Sequence, residues 1–578
     1  MKNRKVVPEF PPAWAADAVW YQIFPERFRN GCSSSDPRAE DISGTPVPGW
    51  EITPWGKDWY SLSPWEADAG GFQKSVFMRR YGGDLVGVCE KLDYLQQLGV
   101  NAIYLNPIFM SPSLHKYDGS TYHHIDPTLG PDREGDLRLL AEANETEDPG
   151  TWIWTAADRF FLEMVRNIHA RGMRIIIDGV FNHTGTEFFA FRDLKAKGPA
   201  SRYKDWYRDV HWDENGTLHY KGWFGHAGLP ELGRSKYNLA EPVINYIFAA
   251  TRRWMAPNGS ACEGIDGWRL DVAFCVPHGF WREWRALVKS INPGAFLCGE
   301  IVKLATPYLK GDELDSVMNY MWSYPVISFF SPSPKPMTAG SLRRRLDQIF
   351  DAYGFEACLG LQNLLDSHDT GRILTMLENP GRPLKKWDEY FNVARTDARP
   401  GLVTTKPGEK ALAALRQIIV FQMTFPGAPM IYYGTESGMW GANDPDDRQP
   451  MLWDDIVYEN ETHTHSGPCG PNERRPDKDL FAHYQKAIAL RKAHPVLSRG
   501  AFRWEPRARG RLLGFIRHDA DSEILALFNS SDRVKYYDLG QPAMDLWGQG
   551  APVAAGRIQI ASRGWRVLKL KGLRNSFS

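Results

Sequence analysis

The sequence lacks the features that mark several large classes of protein. Its 69 Lys and Arg residues balance 69 Asp and Glu residues, so no excess of positive charge favours a nucleic-acid partner or a polybasic membrane surface. No apolar run is long enough to span a membrane. The GxxxxGK and GxGxxG motifs are also missing, which argues against a nucleotide cofactor.

Cysteine is scarce and dispersed. The 7 cysteines among 578 residues form no CxxC pair, and such an odd set is typical of reduced thiols rather than of a disulfide framework. The start of the chain, MKNRKVVPEFPPAWAADAV, is basic but has no apolar segment like that of a signal peptide. These features predict a cytoplasmic protein. A secreted protein whose signal peptide has been removed is the alternative.

Alternating helix and strand patterns predict a parallel β/α barrel. Between Leu85 and Leu98 apolar residues recur at helical spacing, with Asp84 able to cap the helix and Gly99 able to end it. The next run, residues 100–108, is apolar on both faces, as in a strand buried within a parallel sheet. Eight strands are predicted in this way, at residues 19–24, 100–108, 174–180, 267–273, 296–301, 316–320, 361–368 and 428–434. Eight is the number that closes such a barrel.

Two further regions accompany the barrel. The long stretch after the third strand is rich in Trp, Tyr, Gly and charge, and we expect it to form a small subdomain above the rim. From about Ala493, short alternating segments separated by turns predict a sandwich of antiparallel strands. The predicted fold class is α/β: a (β/α)8 TIM barrel with a small subdomain inserted after strand 3 and a C-terminal antiparallel β-sandwich. The predicted boundaries are 1–183 and 266–492 for the barrel, 184–265 for the inserted subdomain and 493–578 for the sandwich.

Four segments place acidic or histidine side chains at the ends of predicted strands: DGVFNH (178–183), GWRLDV (267–272), GEI (299–301) and LLDSHD (364–369). Because strand C-termini meet at one rim of a barrel, these groups can face one pocket. Cleavage of a sugar with retention needs a carboxylate nucleophile and a proton donor about 5–5.5 Å apart. Arg269 lies on the same strand face as Asp271 and can hold it ionised. Glu300 lies in an apolar setting that suits a proton donor, and Asp369 can bind sugar hydroxyls.

These segments resemble the four signature regions of the α-amylase family, glycoside hydrolase family 13. WYQIFPERFRNG, YGGDLVGV and HKYDGSTYHHIDP most resemble its cyclomaltodextrinase, neopullulanase and maltogenic amylase branch. The resemblance implies Asp271 as nucleophile, Glu300 as acid/base and Asp369 as transition-state stabiliser. It also implies substrate-binding roles for Tyr117, His183, Arg269, His368, Asp444 and Arg448. Asp178 would be structural and would orient Arg269.

The chain departs from this branch on the leaving-group side. The branch's GWRLDVANE reads GWRLDVAFC here and its GEIW reads GEIV, so Phe274 and Val302 stand at the acceptor side of the predicted substrate site. The branch usually carries an N-terminal β-domain that helps form dimers. Here the barrel is predicted to begin near residue 17 without it, so the sequence does not decide between a monomer and a homodimer.

The resemblance also bears on calcium. The branch often binds a structural Ca²⁺ through an NGDxxND loop and the Asp of GGD. Here the loop reads NGCSSSD, which leaves Asn30, Asp36 and Asp84 but puts Cys32 in place of an acidic ligand. Losing one charge weakens affinity for a hard cation. A calcium site and a polar turn with Asp84 as a helix cap both fit, and the chemistry requires no cofactor.

The function expected is that of a retaining α-glucan hydrolase, endo- or exo-acting on the α-1,4-glucosidic bonds of maltooligosaccharides, cyclodextrins or starch, through a covalent glycosyl-enzyme intermediate. Apolar Val302 and Phe274 near the acceptor site leave a transglycosylase or isomerase as the alternative. A non-catalytic glycan-binding protein is a third reading, and retention of all three acids argues against it.

Overall fold

The computed structural model describes residues 10–42, 47–381, 384–399 and 401–571; residues 1–9, on which the expectation about a signal peptide partly depends, lie outside this part. A parallel eight-stranded sheet forms the centre. Its strands are β1 (Trp20–Ile23), β2 (Ala102–Leu105), β3 (Arg174–Gly179), β4 (Gly267–Leu270), β5 (Phe296–Gly299), β6 (Ser316–Val317), β7 (Gln362–Leu364) and β8 (Ala428–Tyr432). They pair in the order β6-β5-β4-β3-β2-β1-β8-β7.

The ring closes between β6 and β7, through an isolated parallel bridge that joins Met318 to Gln362. All residues of β1, β2, β4 and β5 are buried, as expected of strands covered on both faces. The predicted TIM barrel is therefore confirmed. The strands are shorter than predicted, and residues 365–368, which belong to the predicted seventh strand, follow β7 outside the sheet.

Helices alternate with the barrel strands. The longer ones are Ala156–Ala170, Glu241–Met255, His278–Ile291, Tyr320–Phe330, Ala339–Tyr353, Glu409–Thr424 and Lys478–Ala493. Shorter helices are Pro64–Asp68, Phe72–Ser75, Leu85–Glu90, Leu92–Leu98, Arg133–Glu142, Phe189–Lys197, Phe355–Cys358, Ile373–Glu378, Trp387–Asn392 and Val496–Arg499. The helix predicted after Asp84 is thus divided in two. Asp84 caps its start by accepting the Gly87 N–H, and Gly99, at φ 99°, ends it in the left-handed conformation.

Small antiparallel sheets stand outside the barrel. After β3, His211–Trp212 pairs with Leu218–His219, and Gly222–Trp223 pairs with His226–Pro230. A hairpin of Glu461–Thr464 and Gly467–Asn472 follows β8.

The C-terminal strands are Ala501–Trp504, Leu512–His518, Glu523–Asn529, Lys535–Leu539, Ala543–Asp545, Ala551–Val553, Gly556–Ile560 and Trp565–Leu570. Six of them form one sheet and two form another, all antiparallel, as predicted. The exact domain boundaries stay predictions. Within the described ranges, no helix combines the length and apolar composition needed to cross a lipid bilayer.

Candidate active site

Three adjacent barrel strands carry acidic groups to one rim. Asp178 lies near the end of β3, Asp271 directly follows β4, and Glu300 directly follows β5. The parallel register places Arg269 beside Asp178 on one side and beside Cys298 on the other. Because parallel strands end at the same rim, these side chains can share one pocket.

The guanidinium of Arg269 links three carboxylates. Its Nη1 donates to both oxygens of Asp178 and to Oδ1 of Asp271, each at 3.0 Å. Its Nη2 lies 3.1 Å from Oε2 of Glu300. Arg269 is fully buried, so these charge pairs act where solvent screens them little. Asp271 and Glu300, from different strands, thus meet around one cation.

The acidic groups of the site influence each other's titration. Burial and the nearby Glu300 raise the pKa of Asp271 well above its usual value. Burial and Glu300 also raise the pKa of Asp369 to about 7. Arg269 was expected to hold Asp271 ionised, but in the free site its charge offsets only part of the effect of burial on the Asp271 pKa. Asp271 and Asp369 therefore hold their protons more tightly than ordinary aspartates do.

Glu300 is also held by the main chain. The N–H of Val272 donates to Oε2 of Glu300 at 2.9 Å. Val272 has φ 37° and ψ 45°, the left-handed region, which is an outlier for a β-branched residue. Such backbone strain costs about 1–3 kcal/mol and concentrates at functional sites. The turn leads into Ala273–Cys275, where Phe274 exposes 42% of its surface.

Tyr117 and His368 form a stacked pair beside the acids. Their rings are 10° from parallel with centroids 5.5 Å apart, and the Tyr117 hydroxyl lies 2.6 Å from Nε2 of His368. The same hydroxyl donates to Oδ2 of Asp178 at 2.9 Å. Burial, with the charges of Arg448 and Arg269, lowers the pKa of His368 well below its usual value. The imidazole is therefore neutral.

The predicted pair Asp444 and Arg448 also reaches the acids. Nε of Arg448 donates to the main-chain oxygen of His368 at 2.7 Å. Its Nη1 lies 3.2 Å from Oδ1 of Asp444, and its Nη2 lies 3.5 Å from Oδ1 of Asp369. Arg448 thus contacts Asp444, His368 and Asp369 at the same time.

His183 lies against the inserted strands. Its ring stacks on Trp223 with centroids 5.4 Å apart and planes at 25°. Burial lowers the pKa of His183 to about 3, so the imidazole is neutral. Its Nε2 is buried without a hydrogen-bond partner in the described part of the chain. A buried polar atom in that state is rare and suits a bound polar ligand.

Three aromatic side chains, in the stretch after β3 and in the turn after Asp271, are exposed. Phe224 exposes 73%, Tyr237 74% and Phe274 42% of their surfaces. Phe224 meets Trp223 edge to face, with centroids 5.1 Å apart. Val302, two residues after Glu300, is half-buried. These aromatic rings offer flat platforms of the kind that bind the apolar faces of sugars.

Comparison with known proteins agrees with this geometry. The sequence matches the family described as "Alpha amylase, catalytic domain" over residues 22–147, 156–398 and 393–500. The chain belongs to the α-amylase family. It is 37% identical to neopullulanase 2 of Thermoactinomyces vulgaris over 522 residues, which are 90% of this chain and 70% of that protein. It is 34% identical to a cyclomaltodextrinase of Bacillus sp, over 90% of this chain and 74% of the relative.

A solved structure in the family gives the same picture. The type III pullulan hydrolase from Thermococcus kodakarensis matches with a TM-score of 0.73 and 28% identity, over 97% of this chain and 83% of that one. The resemblance to the neopullulanase, cyclomaltodextrinase and maltogenic amylase branch is confirmed. This α-amylase family member is a glycoside hydrolase that acts on α-glucans.

Several residues that shape this α-amylase site were not identified from sequence. Tyr104, inside β2, donates to Oδ2 of Asp178 at 2.7 Å. Gln22, inside β1, lies with its Nε2 2.8 Å from Nδ1 of His368. Arg234 donates to Oδ1 of Asn182 at 2.9 Å. A polar residue inside an otherwise apolar strand was the available signal for Gln22.

The predicted calcium ligands lie close together but are engaged with the protein. Asn30 donates through Nδ2 to Oδ1 of Asp36 at 2.6 Å. The carboxylate of Asp84 accepts the N–H groups of Gly31, Cys32 and Gly87. Both Asp84 oxygens thus hold the turn through main-chain N–H groups, and each keeps a second lone pair. The turn is established by these hydrogen bonds, and calcium binding stays a prediction.

Proposed function

We propose that this hydrolase cleaves α-1,4-glucosidic bonds with retention of anomeric configuration, through a covalent glycosyl-enzyme intermediate. The supporting observation is that Asp271 and Glu300 meet around the guanidinium of Arg269. Retention requires carboxyl groups only about 5–5.5 Å apart, whereas inversion requires a wider gap that admits water. Two carboxylates bound to one guanidinium favour the narrow spacing.

The oxygen atoms divide naturally between the two roles. Oδ1 of Asp271 is bound by Arg269, which leaves Oδ2 to attack the anomeric carbon. Oε2 of Glu300 accepts the Val272 N–H and faces Arg269, which leaves Oε1 to carry the proton for the departing glycosidic oxygen. In the second step Glu300 takes a proton from water, the water oxygen bonds to the anomeric carbon, and Asp271 departs as the carboxylate.

The remaining predicted residues hold the sugar around this centre. Neutral His183 and His368 and the carboxyl group of Asp369 bind hydroxyls of the ring that is cleaved. Tyr117 stacks beneath that ring, and Asp444 with Arg448 binds the next sugar on the non-reducing side. Maltooligosaccharides, cyclodextrins and starch are the proposed substrates, in keeping with relatives named cyclomaltodextrinase and maltogenic amylase.

A transglycosylase is the second candidate. Phe274, which follows Asp271 in the turn after β4, exposes 42% of its surface. Apolar surface on the leaving-group side favours a sugar acceptor over water at the second step. The two candidates share the glycosyl-enzyme and differ only in what attacks it.

Stereochemistry and rescue by azide test the proposal. We expect proton NMR of fresh product from an aryl α-maltoside to show the α-anomer first; the β-anomer first would overturn retention. With azide, Glu300→Ala should form the α-glycosyl azide and Asp271→Ala the β-glycosyl azide. The reverse pattern would exchange the two roles.

Chromatography of products from maltoheptaose, β-cyclodextrin, pullulan and starch then separates the two candidates. Short maltooligosaccharides as the main products indicate hydrolysis. Oligosaccharides longer than maltoheptaose, formed from maltoheptaose, indicate transfer.

A further inference from the structure

A second cluster of metal-binding side chains lies outside the candidate active site. One nitrogen from each of His123 and His124 and one carboxylate oxygen of Glu145 lie within 4.8 Å of one another. Both histidines are buried, and the Glu145 side chain is 14% exposed. We propose that these three residues bind a divalent cation of the Zn²⁺ type. Two imidazoles and one carboxylate, with a fourth position open, form a known zinc ligand set.

The spacing of the three donor atoms suits such an ion. Ligand atoms about 2.0–2.1 Å from a tetrahedral zinc ion lie about 3.3 Å from each other. Nε2 of His123 already lies 3.3 Å from Oε2 of Glu145. Nε2 of His124 lies 2.8 Å from the same oxygen, so this edge must open slightly to admit the ion.

Each ligand is also fixed at its far end. Nδ1 of His124 lies 2.8 Å from Oδ2 of Asp158, and Nδ1 of His123 lies 2.8 Å from the Tyr246 hydroxyl. The second oxygen of Glu145 accepts the N–H of Ile153 at 2.7 Å. Metal-binding histidines usually donate their other N–H to a carboxylate or similar acceptor, which orients the ring.

A route to the cluster is present. His123, His124 and Glu145 line a cavity of about 750 Å³, whose wall also includes Glu187 and Asp193. A cation can enter through this cavity, and water in the cavity can occupy the fourth coordination position.

The ion would connect the loop of Glu145 to a segment that contacts the candidate active site. Glu145 comes from the loop that carries Trp152, whose ring lies flat on His123 with centroids 4.2 Å apart. On the other side, Tyr122 precedes His123 and donates its hydroxyl to the main-chain oxygen of His183 at 2.7 Å. The bound metal therefore stabilises this contact, and the inference does not depend on the proposed reaction.

The alternative to a metal site is a cluster held together by a proton. In that cluster His124 is an imidazolium between the carboxylates of Glu145 and Asp158, 2.8 Å from each. Titration of chelator-treated full-length protein with Zn²⁺ and with Co²⁺ separates the two. The metal site predicts about one equivalent of tightly bound Zn²⁺, a visible Co²⁺ absorption and a rise in Tm of at least about 2 °C in excess Zn²⁺.

Variants locate the binding. His123→Gln and Glu145→Gln should each weaken Zn²⁺ binding at least about tenfold and abolish the Co²⁺ absorption. Glu145 is at the rim, so Glu145→Gln tests the site even where His123→Gln fails to fold. The matched control is His219→Gln, an exposed histidine that stacks on His211 and lies 3.1 Å from Asp213. It should bind Zn²⁺ like the wild type.

Two results would overturn the proposal. One is wild-type protein that binds no Zn²⁺ and gains no thermal stability from it. The other is Glu145→Gln with unchanged stoichiometry and affinity, which would place the metal elsewhere.

Discussion

Asp178 accepts two hydrogen bonds from a single nitrogen of Arg269, at 3.0 Å to each of its oxygens. The aspartate is buried and also accepts the hydroxyl hydrogens of Tyr104 and Tyr117. It therefore sets the position of the guanidinium that contacts Asp271. In the proposed mechanism Asp178 is a positioning residue, one contact removed from the reacting atoms.

Asp178→Asn should lower kcat about 10- to 100-fold with little change in KM, because a displaced guanidinium no longer orients Asp271. It should also lower the free energy of unfolding by about 3–5 kcal/mol, since Arg269 loses a buried partner. Steady-state kinetics and urea unfolding measure the two effects.

Asp266→Asn is the matched control for this variant. Asp266 is equally buried and pairs with His169 and Arg174, but it precedes β4 at the opposite end of the barrel. It should lose stability and keep kcat near the wild-type value. A fall in kcat of equal size in both variants would show that the Asp178 effect is only structural.

The pKa of Asp369 predicts a pH-dependent stability. Burial raises this pKa from its usual 3.8 to about 7, so between these values the folded state binds more protons than the unfolded state. The substrate-free protein should therefore lose stability as pH rises from about 4 to about 7. Asp369→Asn removes this loss.

The free energy of unfolding of Asp369→Asn minus that of wild type should be about 1 kcal/mol larger at pH 8 than at pH 5. The figure is modest because the Asp369 side chain is 29% exposed, so solvent screens its charge. Urea unfolding at both pH values measures the difference. An equal effect of the substitution at the two pH values would contradict the assigned pKa.

Val302→Trp should change which acceptor reacts with the proposed glycosyl-enzyme. An indole at this half-buried position offers a stacking surface to an acceptor sugar, worth about 0.5–1.5 kcal/mol. The ratio of transfer to hydrolysis from maltoheptaose should rise roughly 2- to 10-fold. Val302→Leu is the control, because it adds apolar volume without a flat ring. If both variants give the wild-type product profile, Val302 does not face the acceptor.

Asp84→Ala should destabilise the protein whether or not calcium is present. Its carboxylate caps a helix and accepts the N–H groups of Gly31 and Cys32, and loss of a cap costs about 0.5–2 kcal/mol. Differential scanning calorimetry in about 5 mM CaCl₂ and in EDTA tests this. That calcium concentration is enough to fill even a weak calcium site. A large calcium-induced rise in Tm for wild type, absent in Asp84→Ala, would instead establish a calcium site.

The barrel could be predicted from sequence because its signals are local. Strands buried on both faces are apolar runs, and Asp84 and Gly99 mark the ends of a helical segment. The break of that segment at Lys91 was not predicted, since no proline or glycine marks it. Strand lengths were overestimated because the apolar runs continue into the segments that turn toward the site.

The sequence predicts that the acids lie at the ends of barrel strands, but it does not predict their electrostatics. The pKa of Asp271 is raised by burial and by Glu300, which lies 29 residues further along the chain. Neither effect can be inferred from the segment GWRLDV. Gln22 and Tyr104 escaped notice for a similar reason. Their hydroxyl or amide groups meet His368 and Asp178 only once the sheet has closed.

The junction between β6 and β7, closed by the Met318–Gln362 bridge, has a consequence for how the enzyme loses activity as it unfolds. Met318, half of the bridge to Gln362, also places its sulfur 3.5 Å from Nε of Arg269. When heat or denaturant opens this junction, water reaches the guanidinium and its attraction for the surrounding carboxylates weakens. Inactivation should therefore begin at lower denaturant concentrations than the loss of helical circular dichroism, because the β6–β7 junction separates before the helices unfold.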